Sequence, residues 1–288
     1  MRIYIFISLR VCGFNMTISG RIIKGLIQGN DMSKQFEGKV AIITGGSDGI
    51  GKATAQLLAK RGAHVVICAR RAEKLDETKA EIEKAGGSVE TASLDVSDTD
   101  AFHALIDDVA KRHGHLDMLV NNAASTHYVP IKHLTLDNWR QDFAVNADAV
   151  FIGTKAAMEV MIPQKSGSIV NVSSSCGVRA AKNMASYSAS KAALTHFTAC
   201  AAMECARHNV RVNAIVPGQV QTAANEDFAK KVPETAAKTT AAIPMGRGGQ
   251  PEELAEAIAF MLSDAASFIT GTALPVDGGK VAELYLPS

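Results

Sequence analysis

"KVAIITGGSDGIGKATAQLLAK", residues 39–60, carries two hydrophobic patterns of different period on either side of one glycine-rich turn. Val40 to Thr44 is a short apolar run without polar alternation, as expected of a strand buried on both faces. From Ile50 onward the apolar positions fall at helical spacing. Between the two, Gly45, Gly49 and Gly51 allow a tight turn and close approach of another group to the backbone. A strand, a glycine turn and a helix in that order form a phosphate cradle. The first N–H groups of the helix lack partners within it, and its dipole favours an anion there. Glycines punctuate many strand-to-helix turns, but both flanking elements that the mechanism requires are present here. The stretch therefore predicts a dinucleotide-binding α/β fold.

The rest of the chain repeats this alternation. "HVVICA" (64–69), "SVETAS" (88–93), "LDMLV" (116–120), "GSIVNVS" (167–173), "VRVNAIV" (210–216) and "TALPV" (272–276) read as further strands. Residues 50–61, 72–85, 98–113, 136–162, 186–208 and 251–263 have helical spacing. Strand and helix in strict turn imply a Rossmann-type, doubly wound parallel sheet of about seven strands with helices on both faces. No Pro/Ser-rich linker interrupts it, so residues 32–288 read as a single domain. The least regular stretch, 221–248, reads as a mobile lid.

Lys+Arg is 30 and Asp+Glu 29, a net charge of +1, which speaks against a nucleic-acid partner. The five cysteines (12, 68, 176, 200 and 205) form no CxxC pair and read as reduced thiols of a cytoplasmic protein. The eight histidines show no HxxxH spacing, and His113 and His115 read as solvated caps around Gly114, so no metal is expected. No GxSxG elbow supports an acyl hydrolase. No segment reaches the length needed to span a membrane.

Residues 1–31 differ in composition. No acidic residue precedes Asp31, while Arg2, Arg10, Arg21 and Lys24 are scattered among apolar residues. A signal peptide, an organellar presequence and a start codon placed too far upstream all fit this pattern. The last is preferred, because "MSKQFEGKVAIITGG" from Met32 reads as a natural beginning. The segment is expected to be a disordered extension or an artefact of the start site.

The spacing of Gly45, Gly49 and Gly51, with "NNAA" (121–124), "YSASK" (187–191), "VPGQVQT" (216–222) and "ITGTALPVDGG" (269–279), resembles the short-chain dehydrogenase/reductase family. The resemblance runs from Lys39 to about Gly279 and lies nearest the 3-oxoacyl-acyl-carrier-protein reductase branch. It implies a dinucleotide held by Gly45, Ser47, Gly49, Ile50 and Gly51, by Asp95 and Val96 on the adenine side, and by Asn122 and Ala123. It further implies that Tyr187 and Lys191, with Pro217, Gly218, Val220 and Thr222, hold the nicotinamide half. Ala124 stands where the family commonly has glycine.

The end of the second strand carries Ala69, then Arg70 and Arg71, where NAD-preferring proteins place a carboxylate. A guanidinium there pairs bidentately with a 2′-phosphate, which favours NADP(H) over NAD(H). Arg70 is the expected ligand and Arg71 a solvated neighbour. Asp48, at a glycine-loop position where many NADP enzymes of the family carry a basic residue, points the other way.

Tyr187 and Lys191 lie four residues apart, on one face of a predicted helix. An ammonium beside a phenol lowers the phenol pKa, making it a general acid/base nearer neutral pH. The resemblance implies that Ser174 holds the carbonyl oxygen and that Asn146 holds a relay water. The expected reaction is hydride transfer between the cofactor and a carbonyl or alcohol, with Tyr187 moving the proton. The rival is a non-catalytic dinucleotide sensor on the same fold.

The substrate is expected to contact 125–130, 176–184 and 223–246; Arg179 and Lys182 would suit an anionic or carrier-bound acyl group. The Ala-rich segments around Asn146 and Tyr187 are apolar on more than one face. The resemblance implies that they form a homo-oligomer interface, in a tetramer or a dimer.

Overall fold

The computed structural model describes residues 7–11, 14–18 and 34–282 and divides the chain into two units, Met1–Gln35 and Phe36–Ser288. In the first, β1 (Ile7–Val11) pairs antiparallel with β2 (Phe14–Ile18), Ile7 opposite Ile18. The other residues of the expected extension lie outside the described ones.

The second unit runs β3 (Val40–Thr44), α1 (Gly49–Lys60), β4 (His64–Ala69), α2 (Ala72–Lys84), β5 (Ser88–Ser93), α3 (Thr99–His113), β6 (Met118–Asn121), α4 (Leu136–Phe143), α5 (Ala149–Gln164). It continues β7 (Gly167–Val172), α6 (Ala185–Cys205), β8 (Val210–Pro217), α7 (Ala223–Lys231), α8 (Pro233–Ala241), α9 (Pro251–Leu262), β9 (Ala273–Val276). Strands β3 to β9 form one parallel sheet in the order β5-β4-β3-β6-β7-β8-β9. The order reverses at β3, which has β4 on one side and β6 on the other. A crevice opens there beyond the carboxyl ends of the strands, where open α/β sheets bind ligands.

Because successive side chains on a strand point to opposite faces, each strand feeds two cores. Ala41 and Ile43 pack with Leu58 of α1, Leu75 of α2 and Ile258 of α9. Val40 and Ile42 pack with Ile106 of α3, Ala156 of α5 and Ala202 of α6. Unbroken apolar strands follow from that double burial. Among the described residues no helix is long and apolar enough to cross a membrane.

Two segments differ from the expectation. The helix expected over 136–162 is broken by a π-turn, Ala144–Asp148, with Asn146 inside it. Such a turn accommodates an extra residue and re-aims the side chains that follow, a feature frequent at functional sites. Within 221–248, read as irregular, α7 and α8 are regular helices, the second opened by Pro233 in its first turn.

Candidate active site

At the glycine turn the chain is folded back on itself. A Cβ on Gly51 would lie 2.2 Å from the Gly45 carbonyl oxygen, so no other residue fits there. Gly49 has a φ of +50° and opens α1, and the Asp48 carboxylate accepts from its N–H at 2.7 Å. The crevice is pinned across the switch point. Asn122 Nδ2 donates to the carbonyls of Thr44 (2.9 Å) and Gly45 (3.3 Å). The N–H groups of Asn122 and Ala123 donate to the Thr44 hydroxyl at 2.9 and 3.0 Å.

A cleft of about 470 Å³ follows the carboxyl ends of β3, β4, β5 and β6. Gly45, Ser47, Arg70, Asp95, Val96, Asn122 and Ala123 line it. Arg71, read as a solvated neighbour, lines it too, with Nη2 3.7 Å from Asp48 Oδ2. Arg70 Nη1 stands 3.9 Å from Asp95 Oδ2. Asp95 itself accepts from the Ser97 N–H and hydroxyl at 3.0 and 2.8 Å. Two exposed guanidiniums thus flank the β4 end of the cleft, and Arg71 offsets the charge of Asp48 at the mouth of α1.

Tyr187, Lys191, Pro217, Gly218, Val220 and Thr222 do not line this cleft. Thr222 packs against the glycine turn, since a Cβ on Gly49 would meet Thr222 Cγ2 at 2.9 Å. Ile50 packs its side chain toward the core and has only backbone to offer. The Val220 carbonyl accepts from Asn225 Nδ2 at 2.7 Å, and Gly218 packs against Asp277.

The chemical groups come from the end of β7 and from α6. Ser173 and Ser174 are separated by their bonding. The Ser173 hydroxyl is engaged with Thr195 Oγ1 at 2.6 Å and the Lys191 carbonyl at 3.3 Å. Ser174 Oγ accepts from the Cys176 N–H at 3.1 Å and stands beside the Tyr187 phenol. Burial pushes the Tyr187 phenol up to about 12, with the Ser174 hydroxyl pulling it down and Asp142 adding to the rise. Lys191 is fully buried; its Nζ donates to the Val172 carbonyl at 2.7 Å and lies 5.9 Å from the Tyr187 ring centroid. Burial pulls its ammonium down to about 7. The expected lowering of the phenol pKa by Lys191 is therefore not what this structure shows. Helical spacing brings the two side chains together, but the same burial favours the neutral form of both.

Beneath these groups lies a polar ladder that the sequence reading missed in part. Asp142 and Asn146 are one helical turn apart, and so are Ser186 and Ser190 on α6. Ser186 Oγ donates to Asp142 Oδ2 at 2.5 Å, and Asn146 Nδ2 donates to Ser190 Oγ at 3.0 Å. Asn146 also clasps the backbone of Ser125, accepting from its N–H at 3.0 Å and donating to its carbonyl at 2.8 Å. It thereby links the cleft, where Ser125 lies, to the helix that carries Tyr187. Asp142, completely buried, also accepts from the Ser125 hydroxyl at 2.8 Å. Its Oδ1 lies 2.8 Å from Nδ1 of His127. His127 lines the cleft, and no described group bonds its Nε2. With Nδ1 directed at a carboxylate that already accepts from two hydroxyls, the ring carries its proton there, and Nε2 faces away. An aspartate in the middle of a helix was the available signal for this site, since such a residue needs a partner.

The loops expected to contact substrate meet each other: the Val129 N–H donates to the Asn183 carbonyl at 2.7 Å. Arg179 and Lys182 are exposed, and Arg179 donates to the Val281 carbonyl at 3.3 Å.

Residues 45–280 match a family model described as "Enoyl-(Acyl carrier protein) reductase". The chain is 40% identical over 247 residues to the 3-oxoacyl-[acyl-carrier-protein] reductase FabG of Thermotoga maritima, covering 86% of this chain and 99% of that protein. It is 42% identical over 252 residues to the cis-4-hydroxycyclohexanecarboxylate dehydrogenase of Sinomonas cyclohexanicum, covering 87% and 100%. Among solved structures, a putative NAD(P) dependent gluconate 5-dehydrogenase from Beutenbergia cavernae with bound NADP at low occupancy superposes with a TM-score of 0.82. Its identity is 36%, with 87% of this chain and all of that chain covered.

Proposed function

The chain belongs to the short-chain dehydrogenase/reductase family and is an oxidoreductase acting on CH–OH and C=O groups. From that premise we propose that it uses NADP(H) to interconvert a ketone and a secondary alcohol, with Tyr187 as the acid/base. The carrying observation is that Ser174, Tyr187 and Lys191 converge at the carboxyl end of β7, on the far side of Asn146 from the cleft.

The groove fits a dinucleotide. Its glycine turn leaves no room for a Cβ, its volume of about 470 Å³ lies within the range of cofactor sites, and two guanidiniums flank one end. Gly45, Ser47, Gly49, Ile50 and Gly51 would hold the pyrophosphate by backbone and the mouth of α1. Arg70, joined by Arg71, would take a 2′-phosphate. Asp95 and Val96 would flank the adenine, Asn122 and Ala123 the middle of the groove. Lys191 would hold the nicotinamide ribose, with Pro217, Gly218, Val220 and Thr222 near the carboxamide. When bound, the nicotinamide supplies or accepts the hydride.

Ser174 donates to the substrate oxygen, and Tyr187 hands its proton to that oxygen as charge develops there. A phenol held up at about 12 is fully protonated at neutral pH, which suits the reductive direction. Asn146 keeps Ser125 and Ser190 in register beside the tyrosine and marks the position for a relay water.

The substrate class is a 3-oxoacyl compound or a small ring ketone or alcohol. The names of the two relatives describe substrates with a second, carboxyl-derived group besides the reacting carbon. His127 Nε2, on the ring held in place by Asp142, would meet that group. Exposed Phe151 on α5 and Met203 on α6 mark the faces for a homo-oligomer.

A panel of ketones assayed with both reduced cofactors tests this reading. NADPH oxidation should exceed NADH oxidation on at least one 3-oxoacyl or cyclic ketone. Tight NADPH binding with no turnover on any carbonyl or alcohol would instead favour a dinucleotide sensor.

A further inference from the structure

At the end of the sheet opposite the cleft, three side chains converge that the reaction does not use. His64 is the first residue of β4, Glu90 the third of β5 and His113 the last of α3. His64 Nε2 lies 3.0 Å and His113 Nε2 3.2 Å from the same Glu90 oxygen, Oε1. The three donor atoms lie within 4.8 Å of one another, and the two imidazole rings are 4.6 Å apart between centroids. In a tetrahedral zinc site, with bonds of about 2.0–2.1 Å to nitrogen and oxygen, neighbouring donors stand about 3.4 Å apart. The two separations from Glu90 are near that value.

One of the donors is an orphan. His113 Nε2 is buried and makes no hydrogen bond, because its approach to Glu90 lacks hydrogen-bond geometry. A buried polar atom without a partner is costly, and such a group in a native protein points to a missing water or ion. The surroundings are those of a ligand set. Ser88 Oγ sits 2.7 Å from His64 Nδ1, and that contact orients the ring with Nε2 toward Glu90. Arg112 Nη1 takes the other Glu90 oxygen at 2.7 Å and leaves Oε1 as a single ligand atom. Such outer partners fix the tautomer and direction of metal-binding groups. The charge of Arg112 opposes a cation, but Asp108 pairs with it at 2.7 Å, and with Glu90 the cluster is net negative before any metal arrives. All three ligands are partly open, which leaves room for an ion to enter and for a water as fourth ligand.

We propose that His64, Glu90 and His113 form a binding site for a divalent transition-metal ion of the zinc class, joining β4, β5 and α3 away from the catalytic groove. His113 is thus no solvated cap. No local spacing announces the site, because strand pairing brings together residues 26 apart and the end of a helix adds the third.

The test uses the full chain, stripped with a chelator and titrated with ZnSO4, with MgSO4 as control. One zinc ion should bind per chain, and at about a hundredfold excess over Kd the Tm should rise by about 5 °C. His64→Gln and His113→Gln should each weaken binding at least about tenfold and cut the rise by about half or more. His103→Gln, at a histidine outside the trio, should leave both unchanged. Folding of the variants is checked by circular dichroism. Independently, zinc-edge X-ray absorption of the loaded, unmutated protein should show two imidazole ligands per metal. No zinc binding, binding unaffected by both variants, or a spectrum without paired imidazoles would each overturn the proposal.

Discussion

At the glycine turn the site is made of backbone. Gly45, Gly49 and Gly51 shape the cradle, and the first N–H groups of α1 face it. Beyond that groove, past Asn146, the site is made of side chains. Ser174 and Tyr187 stand over a ladder in which Asp142 meets Ser186 and Asn146 meets Ser190, each across 44 residues. The first end is short-range and open to water; the second is long-range, and its members are buried. Backbone cradles tolerate a changed side chain better than a changed glycine. Buried side-chain networks depend on every member, because each unpaired polar atom carries a desolvation cost.

The largest effect expected separates the two ends outright. Tyr187→Phe should lower kcat by about a hundred- to ten-thousandfold, while fluorescence titration finds NADPH binding nearly unchanged. Equal loss of binding and turnover would mean that the two ends are not separable. At the phosphate end, Arg70→Ala should raise the NADPH Kd about tenfold or more and the NADH Kd far less. If Arg71→Ala alone produced that difference, the neighbouring guanidinium would be the phosphate ligand.

Asp142→Ala tests the ladder. It strands the Ser125 and Ser186 hydroxyls and His127 Nδ1, and should cost about 1–3 kcal/mol of stability, read as a lowered Tm. His127→Gln, which spares the ladder's buried acceptor, should instead lower kcat/KM about tenfold and leave cofactor Kd alone.

A further test is a pH dependence. Folded Lys191 releases its proton near pH 7, whereas the unfolded chain keeps it to 10.5. Between these values the unfolded state binds more protons, so stability rises with pH. Tyr187 acts in the opposite sense only above pH 10, where the unfolded phenol ionises and the folded one stays protonated to about 12. The Tm of the dinucleotide-free protein, followed from pH 7 to 10, should therefore climb more steeply than that of Lys191→Met. Parallel curves would show that Lys191 keeps its charge in the fold.

Residues 39–60 were enough to predict the strand, turn and helix that define the fold, because every interaction they need lies within a few positions. The inner strands β3, β4, β6, β7 and β8 were legible as well, because their apolar runs announce double burial. The i, i+4 relation of Tyr187 and Lys191 was equally legible. Its electrostatic outcome was not, because burial depends on what packs over α6 and not on spacing along it. Arg71 turned into the cleft, the π-turn around Asn146 and the anchoring of His127 by Asp142 were likewise beyond reach of periodicity.

Sequence alone determined where the backbone would turn, which runs would become strands, and which side chains carry acid–base and cationic chemistry. Tertiary structure decided which of those side chains meet, which are dry and which protonation state each prefers. The reason is one of range: backbone geometry is set by neighbours in the chain, whereas desolvation and pairing are set by neighbours in space.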